Sequence, residues 1–470
     1  MSRKPHLKNG ILQADLCIIG AGSGGLSVAA GAAQMGAAVV LIEKHLMGGD
    51  CLNTGCVPSK ALLAAAHAAQ AQRSGGRFGV APVEPRVDFT QVMAHVHGVI
   101  GAIAPHDSVA RFEGLGCTII QAPARFTGPG EVEAGGQRVA ARRFIIATGS
   151  RAALPPIPGL AETPHLTNET LFALTELPRH LAVIGGGPIG LEMAQAFRRL
   201  GSAVTVLERA TILPKDEPEA VAVLRAALAA EGIRIIEGAA ITRVDPGRIT
   251  LADGMVEPSH ILVAAGRQAV VDGLGLDAAG IAFTPQGITV DAALRTTNPR
   301  AFAIGDCAGG PQFTHIAGAH AGVVIRRALF GLPAKVDYSA LPWVTFTDPE
   351  LAHAGLTEAQ VPGCKTLLQP FSGNDRAQAE GVTEGLIKLV LSPKGLILGA
   401  TIIGPGAGEM ISLWGLAIQQ RMKIGAIAGV TFPYPTLAEI GRRAAGAWFT
   451  PTLYGAKTRF FVGLTQRFLP

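Results

Sequence analysis

The sequence predicts an α/β fold organised around two three-layer units, and three observations carry it. An apolar strand, a glycine loop, an Ala-rich helix and a second strand follow one another twice in the chain. Glycine supplies 60 of 470 residues, nearly twice the usual share of about 7%. That glycine is scattered through apolar segments rather than gathered in a low-complexity run, which points to tight turns and close backbone approaches. The length itself suggests about three domains.

The first unit reads "ADLCIIGAGSGGLSVAAGAAQMGAAVVLIEK" and the second "RHLAVIGGGPIGLEMAQAFRRLGSAVTVLER". Gly20, Gly22, Gly25, Gly36 and Glu43 match Gly185, Gly187, Gly190, Gly201 and Glu208, each pair 165 positions apart. In such a G-x-G-x-x-G loop the first glycine makes the strand-to-helix turn and the second lets backbone approach a pyrophosphate. The third permits close helix–strand packing, and the helix N-terminus offers its free N–H groups to the phosphates. The acid lies 23 positions after the first glycine, near the ~20 at which it meets a ribose. Two such units in full strand–helix–strand context predict Rossmann-like domains that bind two dinucleotides. In the second, Glu208 favours a free ribose 2′-hydroxyl and argues for NADH. Arg209 and Lys215 are suited to a 2′-phosphate and argue for NADPH, or are simply solvated cations. The balance leans to NADH.

Cys51 and Cys56 lie in "GGDCLNTGCVPSK", just after the first unit. Pro58 suits the first turn of a helix, continued by an Ala-rich run. Cys56 therefore sits near a helix N-terminus, where the dipole favours a thiolate. Four intervening residues, Gly55 among them, let the chain curl until the sulfurs meet. A redox-active disulfide is the favoured reading. Its competitors are two inert thiols and a zinc site, but zinc would want a second ligand pair, and Cys17, Cys117, Cys307 and Cys364 are isolated.

With "IIATGS" at 145–150, "FAIGDC" at 302–307, "PWVTFTDPELAHAGLTE" at 342–358 and "DRAQAEGVTEGLIKLV" at 375–390, the segment resembles the FAD-dependent pyridine nucleotide–disulfide oxidoreductases. That family includes dihydrolipoamide dehydrogenases, glutathione reductases and mercuric reductases, and the likeness runs over about residues 14–443. It implies an α+β dimerisation domain after the two dinucleotide domains, FAD on the first unit and NAD(P)H on the second. The implied boundaries are 1–150 for the FAD domain with its disulfide, 151–268 for the NAD(P) domain, 269–337 for a central segment completing the FAD domain, and 338–470 for the interface domain and tail. Electrons would pass from NAD(P)H through FAD to Cys51–Cys56, with Cys56 against the flavin and Cys51 exchanging with a small thiol, disulfide or thiophilic acceptor. Lys60 would lie by the flavin and pair with Glu192, a pair that bare sequence reads equally well as a structural ion pair. Asp306 would hold the ribityl chain. Further cofactor contacts fall on Lys44, Gly49, Asp50, Ala147, Thr148, Gly149, Gly266 and Gly305.

Two features depart from the family pattern. Members that act on disulfides resemble one another in a His before Pro-Thr with a Glu five residues on, supplied by the partner subunit of a homodimer. Here "FPYPTLAEIGRRAA" keeps Pro435, Thr436 and Glu439 but places Tyr434 where the His belongs. A phenol titrates near 10 and an imidazole near 6.5, so Tyr434 is a poor general base at neutral pH. It is better suited to donating a hydrogen bond, to facing a thiol or metal ion, or to packing. Mercuric reductases also carry Tyr in the corresponding segment, which makes metal-ion reduction the alternative to a dihydrolipoamide dehydrogenase-like reaction. They usually add two adjacent cysteines near the C-terminus, however, and this chain has no cysteine after Cys364.

The second departure is the tail. Beyond Glu439 the chain runs on for 31 residues, with Lys457, Arg459 and Arg467 among Phe460, Phe461, Leu464, Phe468 and Leu469. Packing on the dimer is the favoured reading. The other is a basic amphipathic segment that recruits the protein to a membrane surface, as an electron-transfer partner passing electrons to a protein or quinone. Net charge of +5 is dispersed over Arg pairs without interleaved aromatics, so nucleic acid is not an expected partner. No secretory apolar core follows the basic N-terminus, and the few cysteines make no secreted framework. The expected location is cytoplasmic, with peripheral membrane association tied to the tail. No resident metal site is expected.

Overall fold

The computed structural model describes residues 4–469. Its first unit is an eight-stranded mixed sheet. Thr118–Gln121, Val39–Glu43, Ile11–Ile19 and Gln137–Ile146 lie side by side and parallel, and Ala301–Ala303 also pairs parallel with Gln137–Ile146. The register sets Ile19 opposite both Ile42 and Ile146, and Ile146 opposite Ala303. Four strands therefore end level, and the loops that follow them (from Gly20, Glu43, Ala147 and Ile304) open at one edge. Ligands of parallel sheets bind outside that edge. Helices Ser23–Gln34 and Thr314–Ala328 cover one face through Leu26, Val28, Ala29, Ala321 and Val324. The other face buries Phe126, Phe144, Leu274 and Ile281.

The second unit repeats the plan on a smaller scale. Arg234–Ile236, Ala203–Leu207, His180–Ile184 and His260–Val263 form a wholly parallel sheet, with Ile184 level with Leu207 and Val263. Helices Pro188–Leu200 and Pro218–Ala230 pack on one side through Leu191, Phe197, Leu224 and Leu228. A three-stranded antiparallel sheet, Ile241–Asp245, Arg248–Leu251 and Gly254–Val256, packs on the other. The chain leaves and re-enters the first unit through Ser150–Ala152 and Arg267–Ala269, which pair antiparallel.

The third unit is a five-stranded antiparallel sheet ordered Pro342–Thr345, Glu350–Gly355, Ile397–Gly404, Leu386–Leu391, Lys365–Pro370. Ala407–Gln419, with buried Trp414, and Glu439–Ala447 supply its helical layer. Two ionic clusters tie it to the second unit. Buried Lys388 meets Glu217, Glu219 and Glu358 at 2.9, 2.8 and 2.6 Å, and buried Arg199 meets Glu231 and Asp348 at 2.6 and 2.8 Å. Such buried charges are weak evidence for stability, and Arg199 Nη1 has no hydrogen-bond partner, but their directional contacts restrict how two units can dock.

The tail forms a helix, Ala456–Thr465, in which no residue is buried. Its pattern is less amphipathic than the composition suggests. Lys457 lies three, four and seven residues before Phe460, Phe461 and Leu464, so the cation sits within the apolar stripe instead of opposite it. Among the described residues no helix is long and apolar enough to cross a membrane.

Candidate active site

The two glycine loops do the same work in both units. A Cβ on Gly20 would meet the Ala147 carbonyl oxygen at 2.3 Å, and on Gly185 the Ala264 oxygen at 2.4 Å. Both residues also have positive φ, 103° and 117°, a region that favours glycine. A Cβ on Gly25 or Gly190 would lie 1.9 or 2.1 Å from the carbonyl oxygen of Gly20 or Gly185. Gly22 and Gly187 are different. They cap the helices Ser23–Gln34 and Pro188–Leu200 without a side-chain hydrogen bond and line the cleft; a Cβ on Gly187 would stand in open space and one on Gly22 would touch only the Gly49 Cα, at 4.0 Å. The unclaimed helix N–H groups beyond them form two anion cradles.

The acids repeat as well. Glu43 accepts from the backbone N–H of Ala21 and His45 at 2.6 and 2.8 Å. Glu208 accepts from Gly186 and Ala210 at 2.7 and 2.9 Å. All four donors obey the 165-residue offset. Each carboxylate is thereby locked at its strand end, facing the cleft.

That cleft is one continuous space of about 2460 Å³, well beyond the roughly 300–1,000 Å³ of a site for a single small molecule. Its walls bring together Gly20, Gly22, Glu43, Lys44, Gly49, Asp50, Cys51, Cys56, Lys60, Ala147, Thr148, Gly149, Gly185, Gly187, Glu192, Glu208, Arg209, Gly266, Gly305 and Asp306. Gly25 and Gly190 pack behind it. Tyr434 and Glu439 are not among its lining residues.

At the centre, Cys56 is the first residue of helix Cys56–Arg73, and Cys51 belongs to the short helix Gly49–Asn53. Both carry free sulfurs, set side by side at the helix start. The hydrogen bond from Cys51, then Thr314 and the Lys60 charge, bring Cys56 down to about 6 despite burial. The same bond, with burial, pushes Cys51 well up. The two shifts run in opposite directions across the pair.

Lys60 projects one turn further along the helix. Its Nζ lies 2.8 Å from Glu192 Oε2 and 4.4 Å from the Phe346 ring centroid. Glu192, 5% exposed, takes its other bond from the Phe346 N–H at 3.0 Å. One ion pair therefore joins all three units beside the thiols.

Asp306 accepts from the Ser150 hydroxyl, and burial raises its pKa. Arg267 donates to Ser150 Oγ at 2.7 Å and lies 2.9 Å from Asp50 Oδ2. Asn168 holds the other Asp50 oxygen at 2.8 Å. Ser150, Arg267 and Asn168 were not singled out from sequence, nor was Thr314, whose Oγ1 lies 3.3 Å from Cys56 Sγ. Their partners are more than a hundred positions away, and only Gly266 beside Arg267 and the quoted IIATGS, which ends on Ser150, hinted at any of them.

Tyr434 is 69% exposed, and its hydroxyl donates to Asp375 Oδ2 at 3.1 Å. That carboxylate, more than Glu439, raises the phenol's pKa. Glu439 is buried, and its Oε2 has no hydrogen-bond partner.

Family models match this architecture on both sides of the interdomain joint. Residues 14–321 match the pyridine nucleotide-disulphide oxidoreductase model, and residues 341–445 its dimerisation domain. The chain belongs to the pyridine nucleotide–disulphide oxidoreductases. It is 37% identical over 451 residues to the mercuric reductase of Streptomyces lividans, covering 92% of this chain and 95% of the relative. It is 36% identical over 454 residues to the dihydrolipoyl dehydrogenase of Geobacillus stearothermophilus, covering 92% and 96%. Among solved structures, the Cu(II) complex of the HOCl-induced flavoprotein disulfide reductase RclA from Escherichia coli superposes with a TM-score of 0.82. The identity is 27%, covering 91% of this chain and 98% of that one. The protein is accordingly an FAD-dependent oxidoreductase using NAD(P)H, and its dimerisation domain supports the homodimer of this family. The two cradles, the paired acids and the volume of the cleft fit two dinucleotides.

Proposed function

We propose that this oxidoreductase passes electrons to the Cys51–Cys56 pair and from there to a small thiophilic acceptor, with a soft metal ion of the Hg(II) type as the favoured class. FAD, when bound, takes a hydride from reduced nicotinamide and passes the electron pair to the disulfide. The chain's residues do the rest. Reduction of the disulfide by two electrons and one proton leaves Cys51 as thiol and Cys56 as thiolate, the state in which hydrogen bonding and the Lys60 charge hold the pair. Lys60 and Glu192 keep that charge beside the flavin site, and Cys51 faces the acceptor. With Hg(II) as substrate, NAD(P)H and Hg(II) yield NAD(P)⁺, Hg(0) and one proton.

The observation that carries this choice is Tyr434 on Asp375. Exchange with a disulfide must protonate a leaving thiolate at every turnover. A phenol whose pKa is raised by a neighbouring carboxylate serves poorly as the base that reloads that proton. Thiolates capture a soft cation without any such relay. Tyr434 would reach the thiols of the partner subunit, since it does not line its own cleft. The matching His-to-Tyr change among mercuric reductases points the same way. Lacking cysteines after Cys364, the protein would receive its ion from small-thiol complexes in solution.

The test is turnover of lipoamide by wild type and Tyr434→His. Slow wild-type turnover that rises in the variant supports the reading; brisk wild-type turnover makes the protein a dihydrolipoamide dehydrogenase with another base.

NADH is the proposed donor. Glu208, held by two backbone N–H groups, has no freedom to swing away from a 2′-phosphate. A kcat/KM for NADPH equal to that for NADH would remove this preference. For the tail, we propose packing on the partner subunit over lipid, because Lys457 interrupts the apolar stripe. Liposome binding lost on removal of residues 447–470 would reverse that.

A further inference from the structure

We propose that His320 is a positioning residue for FAD, acting through the Gly305–Asp306 turn; the proposal rests on the family's use of FAD. Helix Thr314–Ala328 carries His320 into the core, where the residue is 1% exposed. Its Nδ1 accepts the backbone N–H of Gly305 at 3.1 Å. The ring is therefore neutral with its proton on Nε2, which donates to the Tyr338 hydroxyl at 2.6 Å. Gly305 has φ 67° and lines the cleft beside Asp306.

An N–H turned inward at this point has no strand or helix partner of its own. Without an acceptor it would be a buried unpaired donor, and the turn would relax to satisfy it. Such relaxation moves Asp306, whose carboxylate is otherwise aimed by Ser150 and Arg267. Tyr338 completes the relay. It opens the segment leading to the third unit, and its hydroxyl lies 3.6 Å from where a Cβ on Gly310 would stand. Its hydrogen bond holds the imidazole in the tautomer whose other nitrogen accepts. No sequence motif marks His320, fifteen residues beyond the turn it secures.

The test compares FAD binding by wild type, His320→Leu, His320→Asn and Tyr338→Phe. Asn places an oxygen where Nδ1 stands, so it retains the acceptor for Gly305. Leu fills similar volume without one. FAD retained after dialysis, the dissociation constant on reconstitution and the flavin absorption envelope are measured beside NADH affinity and thermal melting. About tenfold weaker FAD binding is expected for Leu, with most of it restored in Asn, a smaller loss in Tyr338→Phe, and NADH affinity unchanged throughout. Wild-type-like FAD binding in the Leu variant overturns the proposal. So does equal weakening in Leu and Asn together with a lowered melt, since packing alone would then account for it. If wild type itself bound no FAD, the cofactor reading would fail instead.

Discussion

Tyr434 donates its hydroxyl to Asp375 at 3.1 Å, and Glu439, five residues on, is left with a buried carboxylate oxygen that has no partner. The phenol is tied to the acid of a different element, the helix Asp375–Glu380. Neutralising that acid removes the main cause of the raised pKa. Asp375→Asn should therefore lower the Tyr434 pKa. Spectrophotometric titration of the protein's three tyrosines, with Tyr434→Phe subtracted, reads it. An unmoved or rising titration would show that Asp375 does not set the phenol's charge.

The dithiol should behave as an unequal pair. In the reduced enzyme, alkylation at Cys56 should rise with pH through an inflection near 6. Cys51→Ala removes the side chain that most lowers it, so the inflection should move upward. Peptide mapping of alkylated Cys56 across pH checks both. An inflection near the ordinary thiol value of about 8.5 in wild type would mean the shared proton does not favour Cys56.

Lys60→Met leaves Glu192 buried with only the Phe346 N–H. Stranding a fully buried carboxylate costs about 3–5 kcal/mol. Lys60 is 39% exposed, and solvent screening reduces this to about 2 kcal/mol. Urea unfolding of the holoenzyme measures it, and adding Glu192→Gln should recover part of the loss. The Cys56 inflection should also rise, because the Lys60 charge helps hold the thiolate.

His320 should leave a signature in stability against pH. Burial lowers it to about 4, against an ordinary value near 6.5. Between these values the unfolded chain takes up a proton that the folded one refuses. Its contribution is nil above pH 6.5 and becomes increasingly destabilising as pH falls to about 4. Relative to His320→Asn, wild type should lose roughly 2–3 kcal/mol between pH 7 and 4.5. Parallel denaturant midpoints for the two proteins would contradict this.

What the sequence discloses follows from how local the cause is. The repeat at 165 residues was legible because G-x-G-x-x-G, the terminal acid and their spacing lie within one βαβ unit. The same offset holds down to the N–H groups that Glu43 and Glu208 accept. Lys60 with Glu192 was readable only through family likeness, since 132 positions separate them. Thr314 against Cys56, Arg267 between Asp50 and Asp306, and His320 on Gly305 depend on parallel strands ending level, which no local pattern records. The tail was ambiguous for a related reason. Its composition suggested an amphipathic helix, whereas the angular position of Lys457 puts a charge inside the apolar stripe.

The most direct test is NADH consumption by the purified homodimer with thiol-complexed Hg(II) as acceptor, in wild type and Cys51→Ser. Hg(II)-dependent turnover is expected in wild type and should vanish in the variant. No Hg(II)-dependent turnover in wild type, or turnover that survives loss of Cys51, would contradict it.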